Sequence, residues 1–418
     1  MKMAPASLFS IVFLVTLTLN ILLHAWLALR HLRHVAAHRG QVPEAFAAHV
    51  SLAEHQKAAD YSQAKTRLGL AEFAAGVLLL LALTYGGLLQ NFHALLTRWF
   101  PADGYAYGLG LFAALALASF VVDLPSSLYR TFVLEARFGF NRMTLPLYLA
   151  DLAKQAVLGV VIGAPVLLAV LWLMAAMGHY WWFYVWLLWL ATNLLALLIY
   201  PTLIAPLFNK FSPLNDAQLQ SRIEALLVRC GFRAKGLMVM DGSKRSAHGN
   251  AYFTGFGAAK RIVFFDTLLT RLGATEIEAV LAHELGHYRH RHVWQRIALL
   301  SVLSLAALYL LGLVIEQPWF YAGLGVSAHG TAVALILFSL TLPVFTFLVS
   351  PLLAHISRRH EYQADAYAAM QTDAKDLVSA LVKLYRDNAA TLTPDPMHSL
   401  FYDSHPPAAL RIAQLQRN

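Results

Sequence analysis

Cysteine is nearly missing from this chain of 418 residues: Cys230 stands alone. That excludes an intramolecular disulfide framework and argues against a thiolate-ligated metal centre. Charge is sparse as well, at 13% Asp, Glu, Lys and Arg, and acidic residues are the minority, 23 against 32 basic. Such a composition does not suit a water-soluble globule of this length. The basic excess shows no aromatic-interleaved stripe and no nucleic-acid fold, so no nucleic-acid partner is expected. The first apolar run is too long for a signal-peptide h-region and no A-x-A site closes it, so it is read as a retained helix.

What is present is apolar. Hydrophobic residues make up 58% of the chain and the mean hydropathy is +0.55. They gather in seven runs long enough to cross a bilayer, at about 7–29, 69–89, 106–129, 153–177, 181–204, 297–315 and 331–354. Tyr180-Trp181-Trp182 reads as an aromatic belt at the membrane interface. Asn20 and His24 read as inter-helix polar contacts, and Asn20, Asp123 and Asn193 are also compatible with a wet interior. The organisation expected is 1–205 for spans one to five, 206–296 for a polar catalytic segment, 297–354 for the last two spans, and 355–418 for a polar C-terminal segment.

Seven spans put the termini on opposite sides. Of the 32 Lys and Arg residues, only Lys2 and Arg98 fall on the side of the N-terminus. The positive-inside rule then makes the other side cytoplasmic, with both long polar segments and the C-terminus on it. A lone free thiol in those segments fits a reducing compartment.

The densest chemistry lies in His283-Glu284-Leu285-Gly286-His287. H-E-x-x-H on a helix sets two imidazoles one turn apart on one face, as two ligands of one tetrahedral zinc require. Glu284 then lies against the open position, where it can take a proton from an attacking water and pass it to a leaving amine. A third ligand is needed. Glu361 opens the stretch EYQADAYA beyond the last span, and Asp365 follows one turn later on the same face, placed to hold the N–H of a ligating histidine. His290, one turn past His287, is the alternative third ligand; Cys230 has no spacing to recommend it. A histidine six residues after His287 is ruled out, because Val293 occupies that position. The fold class expected is therefore all-α polytopic: seven transmembrane helices with a cytoplasmic, mostly helical zincin-type catalytic domain, which carries a small β-hairpin or edge strand at Ser246 to Gly257.

HELGH, EYQADAYA, FNKFSPL, EARFGFN and SAHGNAYFTGFG together resemble the type I CaaX prenyl endopeptidase family, from about residue 60 to the C-terminus. The resemblance implies a seven-span membrane zinc metalloprotease with one Zn2+ per chain, held by His283, His287 and Glu361, with Glu284 as the base. It implies that Asp365 supports the site, that Asn250 lies on a cleft-lining strand, and that His405 and Arg411 lie near the zinc, where they can stabilise an oxyanion. It also implies a hollow chamber within the seven helices.

The substrates expected are peptides or proteins, prenylated or membrane-associated, with the lipid bilayer as the other partner. Ala, Leu and Arg usage points to a bacterial inner membrane, the endoplasmic reticulum membrane being the eukaryotic equivalent. A broader quality-control protease on the same scaffold is the alternative function, and a transporter with an incidental metal site a third. The natural substrate and the oligomeric state are not written in the sequence.

Overall fold

A computed structural model of the chain describes residues 3–234, 236–254 and 261–417. Among the described residues, seven helices are long and apolar enough to cross a membrane: α1 (Pro5–His38), α2 (Leu52–Leu83), α3 (Tyr105–Glu135), α4 (Leu145–Ala176), α5 (Gly178–Phe208), α8 (His292–Val314) and α9 (Thr331–Gln371). Between α5 and α8 lie α6 (Ala217–Arg229) and α7 (Ala274–Arg289), and after α9 come α10 (Ala374–Asp387), α11 (Pro396–Tyr402) and α12 (Ala408–Leu415). The most hydropathic window of α5 has a mean hydropathy of 1.9, yet 0% of it is buried within the protein. Water does not tolerate so large an apolar surface; lipid does.

Several expected boundaries move. Span two ends at Leu83 and does not continue to 89: Thr84 leaves the helical region at ψ −97°, and Gly87 then turns the chain with φ 75°. Spans two, four and seven run on as helix well into the polar sequence, since backbone hydrogen bonding continues wherever side-chain propensity allows. The last case matters most. α9 carries the apolar run across the membrane, narrows to a short 3-10 turn at Phe347–Val349, and continues to Gln371. The division drawn at 354/355 thus passes through a continuous rod.

The β structure is larger than a hairpin. Four strands, β1 (Phe211–Pro213), β2 (Gly236–Met240), β3 (Ala251–Thr254) and β4 (Arg261–Phe265), form a sheet of order β1-β2-β4-β3. The pair β2/β4 is parallel and the other two pairs are antiparallel, with Tyr252 opposite Val263. β2 and β4 are the short apolar runs GLMVM and RIVFF. Such runs make buried strands but cannot be told from helix by periodicity alone. β3 occupies a sheet edge, within the stretch where a strand was expected; Gly255 to Gly257 of that stretch lie outside the described residues.

Two apolar cores organise the chain. One sits among the spans, around Phe13, Leu83, Tyr107, Leu111 and Ile336. The other packs α6, the sheet, α7, α9 and α10 together through Ile223, Phe264, Leu281, Ala368 and Leu381. Asn20 makes the inter-helix contact expected of it, donating from Nδ2 to the Val344 carbonyl at 2.7 Å. His24 stacks between Phe73 and Phe347. Asp123 and Asn193 are exposed within their spans.

Candidate metal centre

The site begins with α7 and the close packing it is allowed. A Cβ on Gly286 would stand 2.8 Å from Ala364 Cα and 3.0 Å from the Ala364 carbonyl, so glycine is what lets α7 lie against α9. The first turn of α7 is tied down by Glu276, which accepts from the Gly273 N–H at 2.7 Å, from Ser379 at 2.6 Å and from Lys383 at 2.7 Å. Glu278 accepts from Arg222 and Arg229 of α6 at 2.7 and 2.8 Å. α7 is therefore held on three sides before any ligand enters.

On this scaffold His283 and His287 face Glu361. Among the described residues, one ligand atom from each of the three lies within 4.8 Å of the others. The two Nε2 atoms are 3.2 Å apart, His283 Nε2 is 3.5 Å from Glu361 Oε2, and His287 Nε2 is 3.3 Å from Glu361 Oε1. Glu361 Oε2 is buried with no hydrogen-bond partner. Two ring nitrogens and an unsatisfied buried carboxylate oxygen turned on one point suit a divalent cation with an N,N,O donor set. Neither His290, which is exposed and stacks on His292, nor Cys230, which lies beside Gln371, belongs to the group.

The outer nitrogens of both imidazoles are engaged. His283 Nδ1 lies 2.9 Å from Asp365 Oδ1, the contact that the one-turn spacing of Glu361 and Asp365 anticipates. Burial pulls the His283 imidazole down, but the hydrogen bond to Asp365 and the nearby Glu361 carboxylate outweigh it and hold the metal-free ring up at about 9. His287 Nδ1 lies 2.9 Å from His292 Nδ1, and His292 Nε2 lies 2.9 Å from Gln363 Oε1. His292 and Gln363 are site residues that the sequence reading missed. Arg291, with φ 57°, turns the chain between α7 and α8 and folds His292 back onto His287, which no linear spacing rule announces.

Arg411 sits behind the trio and is itself buried, with 5% of its surface exposed. Its Nε donates to Asp365 Oδ2 at 2.8 Å and its Nη2 to Asp365 Oδ1 at 2.6 Å, a two-pronged clasp, while Nη1 stands 3.7 Å from Glu361 Oε2. His405 approaches from the loop before α12, its Nε2 3.5 Å from Glu361 Oε1 and its ring 60% exposed. Glu284 is half-buried on α7, next to His283 in sequence. Asn250 is not gathered here: it is exposed, its carboxamide oxygen accepts from the Ala251 N–H, and its carbonyl extends the β3/β4 ladder by accepting from Phe265.

Comparison with known proteins follows the same division of the chain. Residues 31–210 match the family described as CAAX prenyl protease N-terminal, five membrane helices, and residues 213–418 match peptidase family M48. CAAX prenyl protease 1 homolog of Arabidopsis thaliana is 39% identical over 75% of this chain and 74% of its own. CAAX prenyl protease 1 of Saccharomyces cerevisiae is 37% identical over 76% and 74%, and the Homo sapiens homolog 34% identical over 72% and 71%. The crystal structure of S. mikatae Ste24p covers 99% of this chain and 100% of that one with a TM-score of 0.90 at 30% identity. With the helix count, the H-E-x-x-H helix and the distal glutamate all in place, the chain belongs to the M48 peptidases of the CAAX prenyl protease group, multi-pass membrane metalloendopeptidases.

Proposed function

We propose that this protein is a zinc endopeptidase that removes the C-terminal tripeptide from prenylated substrates at the cytoplasmic face of its membrane. The observation that carries the reading is the convergence of His283 Nε2, His287 Nε2 and the Glu361 carboxylate on one point. Zinc bound by these three residues supplies a Lewis acid for the scissile carbonyl and acidifies the attacking water.

The chain's own residues do the rest. Glu284 takes the proton of the attacking water and delivers it to the departing amine nitrogen. His405, exposed at the mouth of the site, donates a hydrogen bond to the carbonyl oxygen as negative charge builds there. Asp365 fixes the His283 tautomer, and Arg411 fixes Asp365. Asn250 immediately precedes the edge strand β3, whose outer side offers main-chain hydrogen bonds to an extended peptide.

Orientation rests on the charge count, which puts the N-terminus outside and the catalytic segments with the C-terminus in the cytoplasm. Residue usage supports a bacterial inner membrane. A wet chamber between the spans is supported by Asp123, exposed in mid-span where lipid contact would be prohibitive. Residues 206–296 and 355–418 act as one catalytic unit, joined through α7 and α9.

The deciding experiment is cleavage of a fluorogenic farnesylated CaaX peptide by detergent-purified protein, with metal content measured on the same sample. Cleavage lost on chelation, restored by zinc, and absent in Glu284→Gln with zinc still bound is the expected result. Cleavage of unmodified membrane peptides only would replace prenyl processing by quality control. A wild-type protein that takes up no metal overturns the ligand set.

A further inference from the structure

A cavity of about 780 Å³ is lined by His405 and Arg411, which stand 3.5 and 3.7 Å from the Glu361 carboxylate, and by Tyr61 and Lys65 of α2. Its volume suits a short aliphatic peptide, and three extended residues reach only about 10 Å. What distinguishes the α2 side is Lys65. Its side chain is exposed to the cavity, and its Nζ stands 5.1 Å from the face of the Tyr61 ring. Among the described residues no carboxylate forms an ion pair with it. The acid that senses it, Glu135, is already occupied: the Tyr61 hydroxyl donates to one oxygen at 2.6 Å and His248 Nε2 stands 3.5 Å from the other. Asp403 also lines the cavity, but among the described residues it forms no ion pair with Lys65.

Lys65 is thus an ammonium held over a ring in a cavity wall, with the competing acid tied up beside it. A cation so placed recognises an anion that arrives with a ligand. We infer that Lys65 anchors the free C-terminal carboxylate of the peptide in the cleft, so that the scissile bond is chosen by its distance from the chain end. This rests on the tripeptide-removing reading above and adds the group that measures the tripeptide. A substrate cut at an internal bond has no carboxylate to offer and would not use Lys65.

The test is a pair of fluorogenic farnesylated CaaX peptides of one sequence, one ending in the free acid and one in the carboxamide, with the zinc-loaded full chain in detergent. Wild type is expected to favour the acid by roughly tenfold or more in kcat/KM, the worth of one charged hydrogen bond. Lys65→Ala should bring the acid peptide down to the carboxamide through KM, with kcat little changed, and Lys65→Arg should keep most of the preference. Because Lys65 is exposed, the alanine variant is expected to fold, and its unchanged rate on the carboxamide is the internal check. An acid preference that survives in Lys65→Ala overturns the anchor. Equal cleavage of both peptides by wild type also overturns it, yet leaves tripeptide removal standing. Cleavage of neither, beside cleavage of an internal bond in a longer peptide, overturns the tripeptide reading and the anchor with it.

Discussion

His287 Nδ1 and His292 Nδ1 lie 2.9 Å apart, and the proton between them can be assigned. Gln363 Oε1, 2.9 Å from His292 Nε2, only accepts, so that nitrogen carries a proton. In the neutral ring His292 Nδ1 is then the acceptor, His287 Nδ1 the donor, and His287 Nε2 is left with its lone pair toward His283 and Glu361. Asp365 sets the same tautomer at His283 through Nδ1 once that ring gives up its second proton. Both imidazoles are therefore preset as ligands, one by a carboxylate and one by a relay of a histidine and an amide.

His292→Ala is accordingly expected to weaken zinc binding by about tenfold to a hundredfold. Gln363→Leu should act in the same direction, whereas Gln363→Glu keeps the accepting oxygen and should stay near wild type. Chelator competition on purified protein measures this directly. Equal affinity in His292→Ala and wild type would show that the relay is only packing.

The Arg411–Asp365 clasp predicts an asymmetric pair of mutants. Both side chains are buried, at 5% and 1% exposure, so Arg411→Ala strands a carboxylate away from water. Breaking one side of a buried pair costs about 3–5 kcal/mol, seen as a lower unfolding temperature. Adding Asp365→Asn should recover much of that stability, because the stranded charge is gone. It should not recover zinc affinity, because His283 still lacks its carboxylate. Recovery of both together would deny Asp365 any role at the metal.

How much of this was legible depends on whether the geometry is local. Two histidines at i and i+4, and Glu361 with Asp365 at i and i+4, are fixed by helix pitch, so each pair follows from spacing once a helix is assumed, whereas the meeting of the two pairs was implied only by the family resemblance. His292 does not follow, because its position depends on the positive φ of Arg291 and not on any period. Likewise EARFGFN and SAHGN were notable separately, but their union was not visible: Asn141 bridges to Ser246, and the Ala247 N–H donates to the Phe140 carbonyl at 3.0 Å. Such pairings between distant loops leave no periodic trace. Arg411 could be placed near the site by resemblance, but that its guanidinium is spent on Asp365 required coordinates.

The raised His283 predicts how metal binding responds to pH. A ring whose metal-free value is about 9, against an ordinary 6.5, still carries its second proton at neutral pH, and a metal must displace it. Apparent zinc affinity should therefore rise about tenfold per pH unit from about 6.5 and flatten above about 9. Near pH 7.5, binding should release about one proton from this ring, read from calorimetry in buffers of different ionisation enthalpy. The same shift acts on the metal-free fold with the opposite sign. A raised histidine stabilises below 6.5 and that contribution is lost as pH climbs through 9, so the metal-free protein should soften where the zinc-loaded one binds best.

Gly286 tests whether the trio is set by helix packing or merely by sequence. Alanine is the better helix former and would ordinarily stabilise a helix interior by about 0.5–1 kcal/mol. Here its Cβ would stand 2.8 Å from Ala364 Cα, with backbone on that side, so α7 and α9 must separate. Overpacking of this kind costs about 1–3 kcal/mol and reverses the sign. The displacement falls on the two helices that carry the ligands, three residues from Glu361 on one and one residue from His287 on the other. Gly286→Ala should therefore lower thermal stability and zinc affinity together. Gly76→Ala in α2, where nothing lies within 4 Å of a new Cβ, is the matched control and should leave zinc affinity unchanged. A Gly286→Ala protein with wild-type zinc affinity would mean that the ligand set tolerates a shift of α7 against α9, and that the close contact at Ala364 serves only the fold.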